Sequence, residues 1–481
     1  MGGDNEWRPH SWQAGALPRC AARRAHYLRA QMRRPFLTFV TILALSVVVA
    51  FQLHLALAAS AERGRLERQL ALATEDNERL RGIVVAQQKA KTLEQTRAAR
   101  SAVEKDVERL RGLKFLKPVD YNSVARADVR KVFSAALAEE MSDQEYEDAG
   151  RAWARLGLLP QPIALRQTLL DLLGEQVAAF YNHREHKLYM FEDASLEKTQ
   201  DRVVLAHELV HALQDQHYNL LSLPIGLKTN DDKALAALSI IEGDATLVMT
   251  EYMAGNLSMQ AVMESVSSVF TTQMEQLKKA PRFLRDRLVF PYLRGRDFCA
   301  AVAGTGGLTG MNECYARLPA STTQIMHPEK WSDAAPEAPI TIEWPDLRLQ
   351  GVAPTVDNVA GESGVRALFA EWLDDVTAKA ASEGWRGDRY LSYAAEDALV
   401  WKSVWATPAD AEEFFAAEKQ TLAKRYQIEW TPGQEDPKEW ITSSAGSRII
   451  RLKRVGDNGV LVIDALSAPV ADALQSGFTA Q

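Results

Sequence analysis

The chain has 481 residues, 47% of them apolar and 25% charged, which excludes wholesale disorder and leaves room for two or three folded units. Its formal charge of −7 is unevenly placed: seven arginines against Asp4 and Glu6 make residues 1–35 basic at +5, and the remainder sums to −12. That acidic remainder lacks the basic footprint that binds nucleic acid, and three cysteines cannot build a disulfide scaffold or a Cys-rich zinc module.

Phe36 to Ala59 contains no charged residue. As a helix this segment spans about 36 Å, enough for a hydrocarbon core of about 30 Å. Ala56-Leu57-Ala58 also fits a signal cleavage site, so a cleaved signal peptide competes with a retained anchor. The long basic leader and the absence of proline from Phe36 to Lys117 favour a single-pass anchor. On either reading the arginine-rich N-terminus stays cytoplasmic and everything after residue 60 is exported to a periplasmic or extracellular space. That compartment permits a disulfide between Cys299 and Cys314.

Residues 60–113 read as a helical stalk, rich in Ala, Glu, Arg, Leu and Gln. Leu66, Leu70, Ala73, Asn77, Leu80 and Val84 follow a 4-3-4-3 spacing that would suit a coiled-coil homodimer. An amphipathic helix packed on its own domain explains the same residues equally well. The chain is expected to turn globular over 114–335, with helices near 126–156, 163–180, 199–217 and 231–254 and a strand over Lys187–Glu192.

The stretch Val203–Gln214 carries the chemistry. His207 and His211 lie four apart, so a helix brings both imidazoles to one metal ion, and Glu208, about 100° round the helix, can reach a water on that metal. A buried, correctly spaced histidine pair needs a partner such as Zn2+ to satisfy its nitrogens. Catalytic zinc takes three protein ligands and one open position. His217, ten residues after His207, is one candidate third ligand, but turning it back needs a helix break and the chain has Gln214-Asp215-Gln216 there. Glu242, an acid on an otherwise apolar helix, is the favoured one.

Over 340–481 the character changes. Tryptophan and tyrosine crowd 385–405, a helix follows Thr407-Pro408 to about Tyr426, and two strands, Arg448–Val455 and Gly459–Ala465, flank the turn Gly456-Asp457-Asn458. The order ββαββ makes a small accessory domain, and the whole reads as α+β, mostly helical.

His207-Glu208-x-x-His211 with Glu242 downstream in Ile-Glu-Gly-Asp-Ala resembles the gluzincin, thermolysin-like zinc metallopeptidases. The longer His-Glu-Leu-Val-His-Ala-Leu-Gln-Asp-Gln (207–216) is similar to a set of microbial membrane and secreted proteins. The likeness takes in Val177–Tyr181, Ser321–Lys330 and Gly384–Tyr390, and so covers about residues 110–465. It implies a zincin-like fold, zinc on His207, His211 and Glu242, and Glu208 as base for hydrolysis of a peptide or protein substrate. It also implies that Lys187, Leu188, Tyr189, Met190, Phe191 and Glu192 form an edge strand pairing with extended peptide. The family's acid four residues after the ligand glutamate is Thr246 here, leaving Asp244 to orient His207 or His211. His327 is the candidate donor to the developing oxyanion, with His183 and His186 behind it. A non-catalytic envelope scaffold and a zinc hydrolase acting on a non-peptide bond are the competing readings.

Overall fold

The computed structural model describes residues 81–173, 179–256, 280–332, 336–344, 346–430 and 440–479. The segment Phe36–Ala59 and the heptad positions Leu66 to Leu80 lie outside these residues. Among the described residues no helix is long and apolar enough to cross a membrane.

Helix α1 (Arg81–Arg111) leads in, and its last turns are part of the core rather than a free stalk: Val103, Val107 and Arg111 are buried. Strand β1 (Asp120–Val124) follows, then α2 (Arg126–Glu140) and α3 (Asp143–Leu156). The expected single helix over 126–156 is broken at Met141-Ser142 because Ser142 starts a new one: it forms a capping box with Glu145, and Gly157 closes the helix in the left-handed region at φ 99°. Helix α4 (Leu165–Leu173) stops short of the expected 180, and Phe180 falls instead in β2 (Ala179–Asn182), a hairpin partner of β3 (Lys187–Phe191).

The first sheet has the order β1-β3-β2, with β1 parallel and β2 antiparallel to β3. Lys187–Phe191 is therefore the central strand, bonded on both sides, and Glu192 lies just past its end. The expectation that Lys187–Glu192 is an edge open to a peptide is overturned: both its ladders are already filled by Asp120–Val124 and Ala179–Asn182.

Two long helices form the centre, α5 (Thr199–Tyr218) and α6 (Asp231–Asn256). Every residue from Val203 to Asp215 and from Ala234 to Thr246 is buried. Such helices need apolar surroundings on all sides, which is why neither shows a polar face. Helix α7 (Arg282–Ala316) crosses α6 where two glycines meet: a Cβ on Gly243 would lie 2.2 Å from the Gly295 backbone, and one on Gly295 2.1 Å from the Ser239 carbonyl oxygen. The span of α7 doubles back on itself. A Cβ on Gly310 would sit 3.3 Å from the Val302 carbonyl, although a straight helix separates eight residues by about 12 Å. This reversal puts Cys299 and Cys314 in one apolar cluster. The disulfide that the compartment would permit is not formed; both thiols are free and buried, with Cys299 Sγ facing the Ile240 carbonyl and Cys314 Sγ that of Gly310.

Short helices α8 (Thr322–Met326) and α9 (Glu329–Ser332) precede the C-terminal sheet, whose order is β4 (Val356–Asn358), β5 (Trp385–Tyr393), β6 (Ala398–Trp405), β9 (Gly459–Ala465), β8 (Arg448–Val455), β7 (Ile441–Ala445), antiparallel throughout. The expected ββαββ is its centre, β5-β6-α12-β8-β9. Helix α12 (Pro408–Tyr426) is capped by Thr407 and Asp410, and β8 turns into β9 at Gly456, φ 61°. Edge strands β4 and β7, helices α10 (Gly361–Trp372) and α11 (Asp375–Ala380), and α13 (Ala468–Thr479) complete it. The buried Asp388 carboxylate accepts from the Ala360 and Gly361 amides and from the Trp385 and Trp401 indoles, tying α10 to the sheet. One apolar core runs from Val103 through α5 to Val462 across the expected boundary at 335–340, while two smaller apolar clusters lie wholly on either side of it.

Candidate metal centre

Helix α5 carries His207, Glu208 and His211, whose ligand atoms lie within 4.8 Å of one another. The two imidazoles stand edge to face at 88°, with their Nε2 atoms 3.1 Å apart. From α6, Glu242 Oε2 approaches both, at 3.4 Å from His207 Nε2 and 3.6 Å from His211 Nε2. Three ligands of a tetrahedral zinc at bond lengths of about 2.0–2.1 Å are separated by about 3.3 Å. The three atoms thus outline one face of such a tetrahedron. His207, Glu208, His211 and Glu242 are each at most 3% exposed as residues.

The orientation of His211 is set by Gln214, one turn further along α5. Its Oε1 lies 2.9 Å from His211 Nδ1, so the imidazole donates there and keeps its Nε2 lone pair for a ligand. Burial pushes the His211 pKa down to about 4, which keeps the ring neutral. Gln214 Nε2 in turn donates to the Ile241 carbonyl at 2.9 Å and to Asp244 at 3.2 Å. Asp244 also accepts from the Tyr315 hydroxyl and pairs with Arg111. The expectation that Asp244 orients an imidazole directly is thereby corrected: its oxygens are engaged by Arg111, Tyr315 and Gln214, and Gln214 is the intermediary. Gln214 was legible only as a residue unfit to break the helix, though its i, i+3 spacing from His211 places it on the same face.

Glu208 is fully buried. Its Oε2 accepts from the Tyr181 amide at 2.9 Å, and its Oε1 has no hydrogen-bond partner. Burial raises its pKa well above the carboxylate range, partly opposed by the Tyr181 amide. Tyr292 on α7, which sequence reasoning missed, is completely buried, hydrogen-bonds Glu242 through its hydroxyl and holds its ring 6.3 Å from that of His207. The packing of α7 on α6, closest at Gly243 and Gly295, brings it there, and nothing local in the sequence marks it.

The remaining histidines sort by position. His217 does not join the centre: α5 runs unbroken to Tyr218, which carries His217 about 15 Å along the axis from His207, and its Nε2 bonds the Lys114 carbonyl at 2.8 Å. His327 Nε2 lies 2.8 Å from the buried Glu362 of α10. Next to Glu362, a Cβ on Gly361 would touch Asp232, and Asp232 is ten residues, about 15 Å of helix, before Glu242. The structure therefore places His327 with Glu362 at the far end of α6 and not as a neighbour of the metal ligands. His183 is buried, with its pKa held well down by burial and then by the Arg184 charge. His186 pairs with Asp215 at 2.6 Å, and Asp215 also accepts from the Tyr181 hydroxyl.

Residues 350–475, which make up most of the C-terminal sheet and its helices, match the model of a family described as a domain of unknown function (DUF8575). No curated protein and no solved structure matches the chain. The helices that carry the histidines and Glu242 lie outside the matched span.

Proposed function

We propose that this chain is a zinc-dependent metallopeptidase of gluzincin type, with His207, His211 and Glu242 as ligands and Glu208 as general base. The reading rests above all on the Nε2–Nε2–Oε2 triangle with sides of 3.1, 3.4 and 3.6 Å. Three neighbouring polar groups, one of them a carboxylate, are costly to bury without a cation to share. Zinc, when bound, lowers the pKa of its water towards about 7 and polarises the scissile carbonyl.

The chain's own residues supply the rest. Tyr181 fixes one oxygen of Glu208, so the partnerless Oε1 is the atom that takes a proton from the attacking water and later returns it to the leaving amine. Gln214 holds His211 in the tautomer that leaves Nε2 open, and Tyr292 holds Glu242. A purely structural site would have no use for the Glu208 carboxylate in this position.

The proposal extends to a membrane-anchored, exported protein, supported by the uncharged run Phe36–Ala59 behind its arginine-rich flank. Full-length protein is expected to hold one zinc per chain and to cleave unfolded protein in a chelator-sensitive way. Glu208→Gln should keep the metal and lose the cleavage. Zinc without cleavage in the wild type would favour a scaffold, and absence of zinc would overturn the reading.

A further inference from the structure

A cavity of about 330 Å³ opens between α3, α4, α6, α7 and the C-terminal sheet. Much of its lining is apolar, with Trp153, Leu235, Leu238, Leu284, Leu288 and Tyr390 among the lining residues, and the C-terminal sheet also contributes Val356. Two of these residues connect it with the metal centre. Leu238 lies one helical turn before Glu242 on α6, and Leu288 one turn before Tyr292 on α7. Residues four apart share a helix face and are separated by about 6 Å of rise. Glu242 and Tyr292 touch each other, so the cavity begins about one turn from the ligands.

The rim decides the chemistry of the occupant. Every charged residue of the lining already has a partner: Lys228 with Glu145 at 2.6 Å, Arg287 with Asp231 at 3.4 Å, Asp357 with Arg389 at 2.6 Å, and Asp148 with Gln144 at 3.1 Å. An anionic or cationic ligand would have to break one of these pairs. An uncharged apolar group gains contact with the apolar lining without that cost. The volume lies at the lower end of the roughly 300–1,000 Å³ that accommodates a ligand larger than one side chain.

We propose that this cavity binds two adjacent bulky apolar side chains of the substrate polypeptide, with the DUF8575-matched domain forming one wall. The inference rests on the peptidase reading for its choice of occupant and assigns a substrate-binding role to the C-terminal domain.

The test uses full-length Glu208→Gln protein in lipid nanodiscs, which binds peptide without turnover. Fluorescent hexapeptides with a central Leu-Phe are compared by anisotropy with the same peptides carrying Ser-Ser. The apolar pair is expected to bind at least tenfold more tightly. Ala149→Trp and Val356→Trp each add bulk to the lining from a different element, and both should abolish the difference while zinc content stays at the unfilled level. Equal affinity for the two peptides, or a tenfold preference surviving both fillings, overturns the proposal. So does tight binding of a fluorescent fatty-acyl probe, displaced by neither peptide. Failure of the peptidase reading shows separately, as a wild type that holds no zinc and cleaves nothing, whereas the anisotropy comparison still decides the cavity.

Discussion

The Arg111 guanidinium and the Asp244 carboxylate meet at 2.8 Å with 1% of each side chain exposed. From Asp244 the contacts continue through Gln214 to His211 Nδ1, so an arginine on the incoming N-terminal helix braces a proposed metal ligand. Outer partners of this kind typically account for 10–100-fold in metal affinity. Arg111→Met should weaken zinc binding by that factor in a chelator competition, and should cost about 3–5 kcal/mol of stability through the orphaned carboxylate. Arg111→Lys, which keeps the charge, should recover part of both. Unchanged zinc affinity in the methionine variant would show that the brace does not reach the ligand.

The third ligand is separable by substitution. Glu242→Ala removes the carboxylate that lies 3.4 and 3.6 Å from the two imidazoles, and zinc per chain should fall well below one by elemental analysis. His217→Ala, whose ring bonds the Lys114 carbonyl, should leave zinc stoichiometry untouched. The reverse pattern would reassign the ligand.

The crossing of α6 and α7 tolerates no added atom at Gly295, where a Cβ would lie 2.1 Å from a backbone oxygen. Gly295→Ala forces the helices apart and should destabilise the fold by about 1–3 kcal/mol or more. Because Tyr292 rides on the same helix, zinc affinity should fall as well. Gly304→Ala, with nothing within 4 Å of the new methyl, serves as the control in a urea titration.

Glu418 on α12 is buried, and desolvation pushes its pKa up to about 8, with Arg425 opposing and Asp464 assisting. An acid whose pKa is higher in the folded chain than in the unfolded one binds its proton more tightly when folded. Its favourable contribution is present below about pH 4.5 and is lost as pH rises through about 8. Glu418→Gln should therefore gain in urea midpoint over the wild type between pH 5 and pH 9. A constant difference between the two proteins across that range would contradict the assignment.

The metal motif was legible because its spacing is local: four residues on one helix bring two imidazoles together whatever surrounds them. The approach of Glu242 to the two imidazoles was legible for a related reason, since a carboxylate following Leu238–Ile241 is expensive to bury without a partner. Helix α12 and the β8–β9 hairpin were read almost to the residue from Thr407-Pro408 and from the turn Gly456-Asp457-Asn458. Tyr292 and Arg111 were invisible because each arrives through a helix crossing that no short-range pattern encodes. The strand Lys187–Phe191 was found, but its neighbours were not: Asp120–Val124 is distant in sequence, and Phe180 sits in a stretch whose apolar spacing also suits a helix. An edge and a centre differ only in what pairs with them.

The docking of α1 also bears on where the chain can be cut. A version begun at residue 114, where composition first turns globular, would be shorn of Val103, Val107 and Arg111. It would leave a pit in the core and a naked carboxylate at Asp244. Recombinant material freed of its hydrophobic leader should start upstream of that helix, because a shorter product that fails to take up zinc would be reporting the position of the cut and not the chemistry of the intact protein.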